Sequence, residues 1–169
     1  MRLAGCGIIF LSFISFGILR VRDRRRHLQF LSDMISALRM LSAELQDRRP
    51  PMKELLEWTA RHTEGETGLF FSGLSKDISK LGEESFDSLW RQSAGTCLGT
   101  MSTADYRDLC SLGKMLGRTD LAEQISALNN CCRSLQTRFE REGSEYQDEK
   151  KLSLGVSTAL GLLVCILIL

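Results

Sequence analysis

The residues with the widest chemical reach in this 169-residue chain are two histidines and six cysteines, and their spacing argues against the chemistry they could do. His27 follows a run of arginines and His62 stands near an expected helix end. Neither has a second histidine or a carboxylate at metal-binding spacing, and both read as solvated. The cysteines form no CxxC pair and no Cys/His cluster. Cys6 and Cys165 fall in apolar ends. Cys97, Cys110, Cys131 and Cys132 fall between them, where a free cysteine behaves as a small buried hydrophobe. A vicinal disulfide at Cys131 and Cys132 is the alternative, which helical geometry disfavours, and a reducing compartment fits the pattern. No glycine-rich loop follows a strand, and GxSxG, P-loop and HExxH motifs are absent from the sequence. The reading is therefore of a non-enzyme with no catalytic, cofactor-binding or metal-binding residues.

The charges carry more information. Lys and Arg number 22 against 21 Asp and Glu, and the two signs are interspersed, so no nucleic-acid surface is expected. The exception is the cluster Arg20, Arg22, Arg24, Arg25 and Arg26. It follows Leu3–Leu19, which carries no charge and as a helix measures about 26 Å, at the lower limit for crossing a hydrocarbon core. A cleaved signal peptide is the rival reading, but only Arg2 precedes the apolar run and no small-x-small cleavage site follows it. From Leu152 to Leu169 the chain is again free of charge, immediately after Lys150 and Lys151. The positive-inside rule applied to both edges puts the middle of the chain in the cytoplasm and both ends across it. The expected organisation is an N-terminal transmembrane anchor (1–19), a cytosolic helical-bundle domain (20–151) and a C-terminal transmembrane anchor (152–169), in a two-pass protein of the cell membrane.

The middle reads as all-α, with about six helices. It has few β-branched residues, and its apolar residues recur at three and four. A first helix runs through Leu28, Leu31, Ile35, Leu38 and Leu45 and is stopped by Pro50 and Pro51; Pro51 suits the first turn of the next, whose buried face holds Leu55, Leu56, Trp58 and Thr59. Glu64 to Gly68 reads as a connector, Leu69 to Leu81 as a third helix ended by Gly82, and Phe86, Leu89 and Trp90 as a short fourth. Ser102 with Asp105 forms a capping box for a fifth helix through Leu109, Leu112 and Leu116. The sixth is long. Leu121, Ile125, Leu128, Cys132, Leu135, Phe139 and Tyr146 form its apolar stripe, with Arg133, Arg138, Arg141 and Glu145 off it, and it is expected to run into the last apolar segment, with Gly143 weakening it on the way.

Between the last two helices Gly113 permits close packing, Gly117 supplies a left-handed terminal residue and Asp120 caps the next helix, so the foremost reading is a tight corner. A partner docked at the corner is the functional alternative, and Gln124 lies one turn beyond it. Gly155 with Ala159, and Ser157 with Gly161, have the small-xxx-small spacing that allows helices to approach closely in lipid, with the chain's own first span as one partner they could serve.

The run LGKMLGRTDLAEQISAL, Leu112 to Leu128, together with the closing SLGVSTALGLLVCILIL and the double proline, resembles the stage III sporulation protein AB family of endospore-forming bacteria. Its most specific residues are Leu112, Gly113, Leu116, Gly117, Asp120 and Gln124, then Leu154, Gly155, Gly161 and Leu162. The resemblance implies a mother-cell membrane protein of the channel joining mother cell and forespore. It also implies a domain similar to the cytoplasmic helical domains of the type II secretion inner-membrane platform protein, the F component, with an ATPase and further membrane proteins as partners. The leading expectation is a non-enzymatic scaffold, with homo-oligomers as one form it could take. The alternative is a small pore or transporter of oligomerised spans, against which stands the lack of any ionisable residue in either apolar stretch.

Overall fold

The structure, a computed structural model, describes the backbone of residues 2–97, 99–116 and 120–168 and the side chains of residues 22–97, 99–116 and 120–147. It is all-helical: α1 (Arg2–Asp47), α2 (Met52–His62), α3 (Gly65–Asp77) followed by a 3₁₀ turn (Ile78–Lys80), α4 (Phe86–Gly95), α5 (Thr103–Leu116) and α6 (Leu121–Ile168). No strand occurs among the described residues. The chain divides into two units, residues 29–139 and residues 1–28 with 140–169.

The first unit contains the core. On α1, Leu31, Met34, Leu38 and Leu41 are buried at helical spacing. The helix ends where Arg48 and Arg49 turn their N–H groups back to the Glu44 carbonyl, at 3.0 and 3.3 Å, and Arg49 takes φ 50° before the two prolines. Pro51 then opens α2, its fixed φ of −54° suiting the entry and its carbonyl accepting the Leu55 N–H. Against α2 packs α3, and here the sequence reading needs correction. The third helix starts at Gly65, inside the expected connector, and its α part stops at Asp77, so Leu81 lies beyond it and is exposed. Early entry is possible because Gly68 lacks a side chain: a Cβ there would lie 2.5 Å from the Thr63 carbonyl oxygen. Phe70 and Phe71 on α3 meet Trp90 of α4 edge to face, with Phe70 and Trp90 centroids 4.9 Å apart. The Ser85 hydroxyl accepts the Ser88 N–H and caps α4. From α6, Leu128, Cys131, Cys132 and Leu135 close the core, while Leu121, Ile125 and Phe139 are half-buried.

In the second unit, α1 and α6 run antiparallel through a polar row. Arg24 stands 4.0 Å from Glu145 and His27 3.2 Å from Glu142. His27 is thus half-buried against a carboxylate rather than solvated. Gly143 does not interrupt α6, which is one helix from Leu121 to Ile168. Among the residues described to the side chain, no helix is long and apolar enough to cross a membrane. Both expected spans, with Arg20, Lys150, Lys151, Gly155, Ala159 and Gly161, lie outside those residues.

Candidate interaction surface

Gly113 is positioned by Trp90. The indole Nε1–H donates to the Leu109 carbonyl at 2.7 Å, which lays the ring along α5 one turn before Gly113. A Cβ on residue 113 would then fall 2.5 Å from Cδ1 and 2.6 Å from Cγ of that ring. Glycine is required here because a buried aromatic occupies the space a side chain needs. This gives the close packing expected from sequence a specific partner, one that the spacing of Gly113 alone does not name.

On the outside of the same junction lies an open pocket of about 340 Å³, lined by Met52, Leu81, Phe86, Gly113 and Leu116 with Ser85, Asp87 and Lys114 at its polar side. Leu81 keeps 53% of its surface exposed, and Met115 next to Lys114 is also exposed. Asp87 is held by Arg91 at 3.0 Å, whereas Lys114 has no acidic partner among the described residues. Gly117 lies outside the described residues. Asp120 is exposed immediately before α6, and its carbonyl accepts the Gln124 N–H at 2.9 Å; Gln124 is half-buried. The structure therefore brings Gly113 to the pocket and leaves Asp120 and Gln124 on the first turn of α6.

Underneath, α5 is tied to α6 by a network that the sequence reading missed. Asp105, expected from sequence only as a capping-box residue, is fully buried. It completes the capping box: its N–H donates to Ser102 Oγ at 3.2 Å, while its Oδ2 accepts from the Ser102 N–H at 3.0 Å and the hydroxyl at 2.5 Å. Its Oδ1 accepts from Arg138 Nη1 at 2.6 Å, and the other arm of that guanidinium binds Asp108, which also accepts from Ser134 Oγ at 2.6 Å. Arg138 therefore belongs to the packed face and not to the solvent. A signal for it existed: Leu128, Cys131, Leu135 and Arg138 continue one row at spacings of three, four and three.

Cys97, Cys110, Cys131 and Cys132 are free and buried. Burial, followed by the neighbouring Cys132 and Asp108, pushes the Cys131 thiol up to about 12, and burial raises Cys97 and Cys132 as well. Such thiols are protonated and poor nucleophiles at neutral pH. Among the described residues no group of three or more His, Cys, Asp or Glu is placed to hold a metal ion. What the surface offers is a shape with an apolar floor and Lys114 at its rim, without an acidic partner among the described residues.

A family model described as stage III sporulation protein AB matches residues 2–169. A solved structure titled "Stage III sporulation protein AB (SpoIIIAB)" is 21% identical, with a TM-score of 0.65 over 72% of this chain and 97% of that one, a likeness that speaks for the fold. No curated protein matches.

Proposed function

This chain belongs to the stage III sporulation protein AB family, and from that premise we propose that it is a non-enzymatic, membrane-anchored platform in a secretion-like channel complex between mother cell and forespore. The observation that carries the reading is the continuity of α1 and α6, each one unbroken helix from the packed core into a charge-free stretch. A domain whose first and last helices each lead into a charge-free stretch is held to the membrane at both ends, which suits a platform more than a tethered enzyme. In this reading 1–19 and 152–169 are the anchors, 20–151 is cytoplasmic, and Arg20 to Arg26 with Lys150 and Lys151 mark the inner membrane edge.

The corner pocket is where we place the cytoplasmic partner, an ATPase in the family reading. The exposed Leu81 and the apolar floor favour an apolar side chain from it, and Lys114 favours a carboxylate beside that side chain. Affinity capture of the full-length protein from sporulating cells tests both levels. The wild type is expected to recover the ATPase and other membrane components, and Leu81→Asp with Lys114→Glu to lose the ATPase alone. Recovery of neither class by the wild type would overturn the platform, and an unchanged ATPase yield from the double variant would move the docking face elsewhere. Labelling by an impermeant reagent of a single cysteine placed near Lys76, in intact cells, would overturn the topology.

A further inference from the structure

The arginine run after the first charge-free stretch is divided between two sides of α1. Arg24 and His27, three residues apart, meet Glu145 and Glu142 of α6. Arg22, Arg25 and Arg26, at spacings of three and four, share the opposite side, and all three are exposed. Among the described residues, Arg22 and Arg25 make no hydrogen bond or ion pair. Among the acids nearby, Asp23 flanks this side and is itself exposed, and Asp33 further along accepts from Gln29 at 3.0 Å. The fold gains nothing from leaving the Arg22 and Arg25 guanidinium groups side by side in this way, since like charges on one helical face repel.

Their height along the helix matches one environment. Counting from Leu19, the last residue of the charge-free stretch, Arg22 to Arg26 stand about 5 to 10 Å further along the axis. The headgroup layer of a bilayer has a similar depth, roughly 5 to 8 Å on each side of the hydrocarbon. A guanidinium there presents paired N–H donors to the oxygens of a phosphodiester, a geometry a lysine does not offer. We infer that Arg22 and Arg25 form a binding site for the phosphodiester of an anionic phospholipid, on the side of α1 turned away from α6. This rests on the anchor reading of residues 1–19, and it makes the run more than a topology signal: its inner side fixes α6 and its outer side selects lipid.

The test uses the full chain reconstituted in vesicles of phosphatidylcholine, with and without phosphatidylglycerol. Alkaline carbonate extraction reports the anchor reading separately, because a chain stripped from both membranes is not anchored and both ideas fail together. For the retained protein, native mass spectrometry after gentle solubilisation reads the ratio of bound phosphatidylglycerol to phosphatidylcholine. The wild type should enrich the anionic lipid. Arg22→Gln with Arg25→Gln should lower that preference by about 25-fold, at about fivefold for each arginine near an anionic surface, while Arg24→Gln keeps it. Undiminished enrichment in the double variant would overturn the proposal, and so would loss of the lipid on adding inorganic phosphate at matched ionic strength, which would identify a free-phosphate site.

Discussion

The Asp105, Asp108 and Arg138 network and the row of Arg24, His27, Glu142 and Glu145 both join a helix to α6 through ionic side chains, yet their settings differ. The Asp105 carboxylate is 0% exposed and the Arg138 side chain 24%, while Arg24 and Glu145 keep 35% and 47%. In the first, desolvation is large and is offset because the Asp105 carboxylate accepts from the Ser102 N–H, the Ser102 hydroxyl and Arg138, and Arg138 binds two carboxylates. In the second, water screens the Arg24–Glu145 pair, and either partner is solvated without the other, although His27 and Glu142 beside them keep only 15% and 24%. Buried charge therefore ties α6 to α5 more firmly than the Arg24–Glu145 pair ties it to α1. The lesson is that counting ion pairs says little until each is placed in its dielectric.

The comparison makes Arg138→Met the most damaging of the substitutions considered, because it removes the guanidinium that binds the buried Asp105 and the neighbouring Asp108 together; a loss of about 3–5 kcal/mol is expected in the thermal unfolding of the detergent-solubilised full-length protein. An unchanged melting temperature would mean that Asp105 reaches solvent after all. Next in size is an uncharged perturbation further along α5. Gly113→Ala forces a methyl group against the Trp90 ring and should cost roughly 1–3 kcal/mol, with quenching or shift of indole fluorescence as an independent sign that the ring has moved.

A pH titration probes the buried side of the comparison in another way. The Cys131 thiol, about 9.0 when solvated and about 12 here, stays protonated in the fold while the unfolded chain ionises. The unfolded state then binds fewer protons across that window, so stability is fully present below pH 9 and falls as pH rises toward 12. Cys131→Ala should flatten the alkaline slope relative to the wild type; parallel slopes would show that the thiol titrates freely. The smallest effect belongs to the Arg24–Glu145 pair. Arg24→Gln is expected to shift stability by no more than about 1 kcal/mol, and a larger loss would show that the row is held as tightly as the Asp105 network and would remove the contrast.

Much of the architecture was legible in sequence because helices are local objects. Three-and-four periodicity put Leu31, Leu38, Leu55, Leu109, Leu128 and Leu135 in the core, Pro50 and Pro51 marked the first corner, and Ser102 with Asp105 announced a cap that the structure contains. The motif from Leu112 to Leu128 also pointed to the family to which the chain belongs. The candidate site was legible only in part. Gly113 was recognised as a packing residue, but the pocket beside it depends on Leu81 from the loop after α3, and that loop was read as the end of a helix because Leu81 continues the spacing of Leu74 and Ile78.

The sequence by itself determined that the chain is helical, which faces are apolar and where the charge-free ends begin, since each of these follows from neighbours within a few turns. Tertiary structure alone decided that Asp105 is a buried acid rather than a surface one, that Arg138 reaches across 33 residues to bind it, and that Trp90 occupies the space above Gly113. The physical reason is that a charged residue flanking an apolar stripe has the same sequence signature whether it faces water or a counter-ion. Which of the two it meets depends on the angle at which a second helix arrives, and that angle is set by the packing of the whole core.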